Sequence, residues 1–493
     1  MTSNLRGSSP LHPSPGDARS RFASITKGEW GFLSTFVGLA VVFCLAFTLA
    51  VPAGFGLDEE HHTYRSWQVS RGVLEPETIS PRTQYGGTIP VPLIDYVIAG
   101  TDAANAGRGT GEPWERHDIA LAPSYDRLGH VELDPTTPTR VEEFTNASAS
   151  SFVPYLPSAI GMRAATALGA DVGGIVLAGK LVNAMVYVLA VAASLMILAR
   201  SRWKWLVGLV GLSPLSVFQA SVISADTFSN AAALLFTALI LRSRTLTARA
   251  PGLAAAVVLA GLLVVLAKPT YILLLPLLFA VPSAVVSARS RLALTLRVAS
   301  FLLLAGIGAF VSSRASDIAS AIRFQIPDAD RVDQRAQLAG MLSDPFDAIA
   351  MVARTVIQYG SSWIEGTLTM MGTNTVFAPA PITIILIGAL TLAMFCGEPD
   401  RRVVGALFAG VALVTVCAII ATLYMTFTVV GAATADGVQG RYWIPLLIPA
   451  LAGIGMLVPV SVRMSEKTAL SIFGGTAGVA LSAALAMWVT TVY

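Results

Sequence analysis

From residue 30 to residue 491 the chain alternates long apolar runs with short charged connectors. Runs of about 17 to 25 residues, at about 1.5 Å of rise each, match the roughly 30 Å hydrocarbon layer of a bilayer. The pattern predicts eleven helical spans, at 30–52, 174–199, 203–220, 225–241, 251–267, 270–287, 293–313, 379–396, 402–427, 441–460 and 468–491. Two long connectors interrupt them, 53–173 and 314–378. The expected fold class is therefore an all-α polytopic membrane protein rather than a barrel.

Composition agrees with the pattern. Of 493 residues, 54% are hydrophobic and only 13% charged, which is too apolar for a soluble globule of this size. The first 28 residues differ: Ser, Pro and Gly crowd them, and they read as a disordered cytoplasmic tail ahead of a membrane domain at 29–493. No cleavable signal peptide is expected, because the first apolar run is long and lacks a small-residue cleavage site. Cys44, Cys396 and Cys417 all fall inside apolar runs, so no disulfide framework is expected.

Net charge is only +3, but its distribution is uneven. With the tail in the cytoplasm, that side collects 17 Lys or Arg against 5 Asp or Glu, and the other side keeps the remaining 16 basic and 25 acidic residues. The positive-inside rule then places the N-terminus in the cytoplasm and both long connectors outside a cell membrane. The expected surroundings are membrane lipids, with no nucleic-acid partner.

The 53–173 connector is long for an unstructured loop and carries turn signals such as TQYGGTIP and LDPTTPT, so it should fold. Its segment 151–169 reads as an amphipathic helix that lies at the interface or enters the bilayer again, and 343–359 in the second connector as a second interfacial helix. Trp363 and Glu365 read as structural.

Candidate chemistry gathers where spans end. The stretch GLDEEHHTYRSWQVSRG, 56–72, sets Asp58, Glu59, Glu60, His61, His62 and Arg65 just past the first span. Gln219, Ser221 and Asp226 lie where the third span turns into the fourth. Lys268 and Tyr271 mark the turn between the fifth and sixth, and Gln439, Arg441 and Tyr442 open the tenth. All four clusters fall on one face of the membrane in this topology. Ionisable groups near hydrocarbon cost a few kcal/mol each unless paired or hydrated, so an outward-open polar cavity is expected at the lipid interface. Blander roles stay open: Asp226 as a helix N-cap, Lys268 snorkelling to headgroups, and Arg441 with Tyr442 in an interfacial belt. Asp58 with His61 or His62 could hold a divalent metal, although no Cys or spaced His pair makes a strong site.

A first span ending in an acidic motif, a large first outer loop with an interfacial helix, and about ten further spans resemble the GT-C superfamily of polyprenyl-phosphate-dependent glycosyltransferases. GLDEEHHTYRSWQVSRG, FQASVISAD, AKPTY and QGRYWIP together are similar to the bacterial membrane domain-of-unknown-function family 2142, which is grouped with those transferases. The resemblance implies transfer of a sugar from a polyprenyl-phosphate carrier to an extracytoplasmic glycan or lipid-linked acceptor, with inversion. It puts the general base on Asp58, with Glu59 as neighbour or substitute. The residues suit such chemistry on their own account: a carboxylate to take a hydroxyl proton, Arg441 or Lys268 to offset charge on a departing phosphate, and Tyr271 or Tyr442 to donate to it. A transporter or flippase, or an envelope-glycan ligase, is the alternative. The central thirds of the spans are nearly free of charge, Lys180 being the main exception, which argues against transport.

Overall fold

A computed structural model describes residues 27–81, 83–106, 121, 124–325, 329–373 and 376–493. The tail expected to be disordered, 1–28, lies outside these but for its last two residues.

The protein is mostly helical, with little sheet. Six helices are long and apolar enough to cross a bilayer: Glu29–Ala50, Val172–Ile197, Ser290–Arg314, Arg402–Phe427, Gly440–Leu457 and Glu466–Val492. The other five expected spans take different forms. Pro251–Ala267 and Ala380–Cys396 are apolar helices of 17 residues each. Ala225–Arg244 is a 20-residue helix whose Asp226, Ser229, Asn230 and Thr237 are buried against protein.

The two remaining expected spans are corrected by backbone chemistry. Residues 203–220 do not make one helix but two short ones, Lys204–Gly211 and Pro214–Ala220. Pro214 has no N–H and holds Ser213 in an extended conformation, so the helix must restart there. Every residue of both pieces is buried, and Trp205 packs edge-on against Phe32. The expected 270–287 span is a 3-10 helix over Pro269–Ala280, bounded and interrupted by Pro269 and Pro276. At about 2.0 Å of rise per residue the tighter winding covers about 24 Å in twelve residues, the reach of some sixteen α-helical residues.

The core of the bundle is one continuous apolar cluster in which Phe36, Phe47, Phe218, Phe236 and Trp488 are fully or almost fully buried. Close helix crossings use small residues. A Cβ on Gly453 of the Ile444–Leu457 helix would stand 2.4 Å from the backbone nitrogen of Ala409 in Arg402–Phe427.

The first long connector folds around a second core of Trp67, Ile89, Leu93, Phe144, Tyr155 and Met162. The Glu59–Ser70 helix packs on an antiparallel sheet of Glu77–Ser80, Gln84–Pro90 and Thr139–Glu143, with Gln84–Pro90 in the middle. The Leu156–Ala167 helix, within the segment expected to be interfacial, lies against Val172–Ile197 so closely that a Cβ on Gly161 would meet the Ala178 carbonyl at 2.3 Å. In the second connector the helix expected at 343–359 runs on to Leu368 as Pro345–Leu368. It is preceded by Gln334–Ser343 and followed by a short pairing of Met370–Met371 with Val376–Phe377.

Candidate functional site

After the first span the chain turns sharply through 51–58, and the turn is held by Glu59. Its side chain is fully buried, and its Oε2 accepts from the backbone N–H of Gly54 at 3.1 Å and Gly56 at 2.9 Å. Oε1 accepts from Ile223 N–H at 3.0 Å, which ties this turn to the hairpin that leads into Asp226. Lys180 donates to the Val51 carbonyl at 2.6 Å and stands 3.9 Å from Glu59. Thus the carboxylate expected to neighbour or replace the base is a clamp with its lone pairs committed, and it does not face the cavity described below. Lys180, the isolated intramembrane charge, belongs to the same clamp. Asp58, next in line, has φ +55°, the only positive φ of a non-glycine among the described residues. Asp tolerates that conformation better than most residues, and here it directs the carboxylate away from the helix it precedes, to which it makes no side-chain cap bond.

That carboxylate meets Arg441, which donates from Nη2 to Asp58 Oδ2 at 2.5 Å. The other end of the guanidinium lies 3.5 Å from Asp226 Oδ2 and donates to the Leu57 carbonyl at 3.4 Å. Asp226 also accepts from Lys268 Nζ at 3.1 Å. Lys268 in turn lies 4.6 Å from the centre of the Tyr442 ring, and Tyr271 donates its hydroxyl proton to the Tyr442 carbonyl at 3.1 Å. Four segments far apart in sequence thus form one charged network.

The network lines a cavity of about 770 Å³. Asp58, His62, Asp226, Lys268, Gln439 and Arg441 line it with polar groups, and Ala315, Ile419, Leu423 and Phe427 add apolar lining. Three buried polar atoms of the lining residues, Arg441 Nε, Gln439 Oε1 and Asp226 Oδ2, have no hydrogen-bond partner among the described residues, although Asp226 Oδ2 lies 3.5 Å from the Arg441 guanidinium. Buried polar groups are costly to leave unpaired, and here one donor and two acceptors stay open.

Electrostatics follow from the geometry. Burial pushes the Asp58 carboxyl up, but Arg441 and, after it, His62 pull harder, and the group is held well below the usual carboxylate range. Burial drives His62 down to about 4, against the opposing pull of Asp58, so the imidazole is neutral near pH 7. Its Nδ1 lies 2.9 Å from the Tyr155 hydroxyl, which itself donates to the Ala147 carbonyl at 3.0 Å. The hydroxyl proton being used there, Nδ1 carries the imidazole proton and Nε2 is the free acceptor. The site accordingly balances two carboxylates against two cations.

The remaining expected site residues lie outside the cavity, each for a visible reason. Arg65 is buried and donates to Gln68 Oε1 and the Leu74 carbonyl. His61 pairs with Asn146 and Glu60. Gln219 accepts from Asn230, and Ser221 donates to the Val217 and Cys44 carbonyls, so both hold helices together. The suggested metal pair of Asp58 and His62 has no third ligand: among the described residues no group of three or more His, Cys, Asp or Glu could hold an ion. In the other direction, the cavity is lined by Asn146, Ser150, Thr422 and Thr426, which sequence reasoning missed. Thr422 and Thr426 did leave a signal, a polar pair four residues apart on one face of an otherwise apolar helix end; Asn146 left none.

A helical membrane protein with a charged chamber where its bundle meets the folded connectors is the class that this architecture defines. More narrowly, the chain belongs to the family described as Predicted membrane protein (DUF2142), which matches residues 41–450 and takes in all four polar clusters. No curated protein and no solved structure matches the chain.

Two outcomes are expected. Glu59→Ala leaves Lys180 buried without its counter-charge and frees three backbone N–H groups, so thermal unfolding of the detergent-solubilised protein should show destabilisation of roughly 3–5 kcal/mol. For His62, the unfolded group titrates near 6.5 and the folded one near 4, so the unfolded state holds the extra proton in that window. Its contribution is complete above about pH 6.5 and is lost as pH falls towards 4. The drop in unfolding midpoint between pH 7 and pH 4.5 should therefore be smaller in His62→Gln than in the unaltered protein.

Proposed function

We propose that the protein is a membrane glycosyltransferase that moves a sugar from a polyprenyl-phosphate donor to a glycan or lipid-linked acceptor outside the cell membrane. The observation that carries this reading is the joining of Asp58, Arg441, Asp226 and Lys268 in one chamber that apolar side chains such as Ile419, Leu423 and Phe427 also line. A lipid-linked donor must keep its isoprenoid tail in hydrocarbon while its phosphate reaches hydrated cations. A chamber lined by both charged and apolar side chains meets both needs.

In this reading the donor phosphate sits against Arg441 and Lys268, and Arg441 Nε supplies a further donor to a phosphate oxygen. Asp58 takes the proton of the acceptor hydroxyl. The acceptor oxygen forms its bond to the anomeric carbon as the bond from that carbon to the phosphate oxygen breaks, with inversion. The leaving phosphate keeps the electron pair, and the two cations offset its charge. Asp226 keeps both cations aimed into the chamber. Because Arg441 pairs with Asp58 in the resting site, a phosphate that draws Arg441 away also restores basicity to Asp58, so the base becomes competent when donor is present. Orientation follows the charge asymmetry of the connectors, with the N-terminus in the cytoplasm and the chamber outside.

Purified protein supplied with a polyprenyl-phosphate sugar and acceptor should release polyprenyl phosphate. Asp58→Asn should lower that rate by roughly 100-fold or more while the protein stays folded. Full activity in Asp58→Asn would remove the proposed base, and release of a pyrophosphate carrier instead would mark the enzyme as a ligase.

A further inference from the structure

The Pro345–Leu368 helix has three faces. Met351, Thr355, Trp363 and Gly366 are buried against the protein. Phe346, Ile349, Val356, Ile357 and Ile364 are exposed, Phe346 by 85% and Ile357 by 83%. At about 100° per residue these five fall within roughly 100° of arc. Asp347, Arg354, Gln358 and Glu365, exposed as well, fall on a separate arc beside them. An exposed helix in water has no use for a continuous apolar stripe, and a helix crossing the bilayer has no use for a charged one. The two together fit a helix lying in the plane of a lipid interface.

The buried face holds something specific. Residues 428–440, which link the Arg402–Phe427 helix to Arg441, are fastened to this helix and to the Gln334–Ser343 helix before it. Gln337 donates to the Val429 carbonyl at 3.0 Å, and Arg354 to the Ala433 carbonyl at 2.9 Å. Ala435 N–H donates to Thr355 Oγ1 at 3.0 Å, Trp363 to the Val438 carbonyl at 3.1 Å, and Thr367 to the Gly440 carbonyl at 2.9 Å. Gly366 and Gly440 touch backbone to backbone, so closely that a Cβ on Gly440 would stand 2.3 Å from the Gly366 carbonyl carbon.

We infer that the Pro345–Leu368 helix docks on the phospholipid interface through its Phe346 to Ile364 stripe and, through its opposite side, holds the Gln439 and Arg441 wall of the chamber at a fixed depth in the membrane. The occupant of the stripe is lipid acyl chain rather than a protein partner. The preceding helix, which packs against this one, carries further exposed apolar side chains, Leu338 by 44% and Leu342 by 72%, and charged side chains flank the stripe on the side that would face water. This inference does not depend on the reaction proposed above.

The test uses the unaltered full chain in nanodiscs of phosphatidylcholine and phosphatidylglycerol. A phospholipid with a diazirine in its acyl chain and a water-soluble carbodiimide are applied separately, and adducts are mapped by mass spectrometry. Acyl adducts on Phe346, Ile349 or Ile357, with carbodiimide adducts on Asp347 and Glu365, are expected. A stripe that stays unlabelled while Leu302 of the Ser290–Arg314 helix is labelled overturns the inference, as does a labelled stripe whose two carboxylates are shielded from carbodiimide. For the second half, Ile349→Asp with Ile357→Asp should lose the acyl adducts and speed hydrogen exchange at Ala435 by roughly tenfold. Loss of the adducts with unchanged exchange at Ala435 would show that the lipid contact does not hold the wall. Should that double variant not fold, Ala435 exchange in unaltered protein moved from nanodiscs to a short-chain detergent decides the same point: acceleration supports the coupling, and no change refutes it.

Discussion

A single guanidinium, that of Arg441, joins two carboxylates from separate segments of the chain: Asp58 just after the first span and Asp226 at the head of a buried helix. The pairing is unusual in what surrounds it. Arg441 is only 6% exposed, and a charge removed from water to that degree persists only when its partners are placed well. The rest of the fold near the chamber can be understood as the means of placing them. Glu59 and Lys180 fasten the turn that carries Asp58 to the hairpin that carries Asp226, and the Pro345–Leu368 helix fastens the strand of chain that delivers Arg441.

Two adjacent carboxylates therefore have separate functions, and environment alone divides them. Glu59 points into the protein and spends its oxygens on backbone N–H groups. Asp58, turned by its left-handed backbone, points into the chamber and meets a cation that a competing anion could take. In the proposed function, a site with two carboxylates and two cations in balance offers an entering phosphate donors that are already aimed. The unpartnered Arg441 Nε and Gln439 Oε1 are what this arrangement leaves unspent.

Much of this was legible from sequence, because charge next to hydrocarbon is costly and so stands out. Asp226, Lys268 and Arg441 each interrupt apolar runs, and the chain brings all three to Asp58. What could not be read was direction. Whether Glu59 or Asp58 faces the chamber depends on one backbone angle, and Gln219, Ser221 and Arg65 look as chemical as their neighbours until their hydrogen bonds are seen. The forms of the spans were hidden in a similar way. Apolar composition reports burial but not its cause, so the wholly buried 204–220 segment, broken at Pro214, read as a membrane helix. The Pro269–Ala280 segment did so too, because its tighter winding cannot be told from periodicity.

The proposed function requires the chamber to take an anionic phosphate on a lipid tail. Calorimetric titration of the purified protein with a short-chain polyprenyl phosphate, set beside the polyprenyl alcohol of the same length, tests it most directly. Saturable binding of the phosphate is expected, tighter than that of the alcohol by at least about tenfold, or about 1.4 kcal/mol. Equal affinity for the two would mean that Arg441 and Lys268 do not meet the phosphate, and would contradict it.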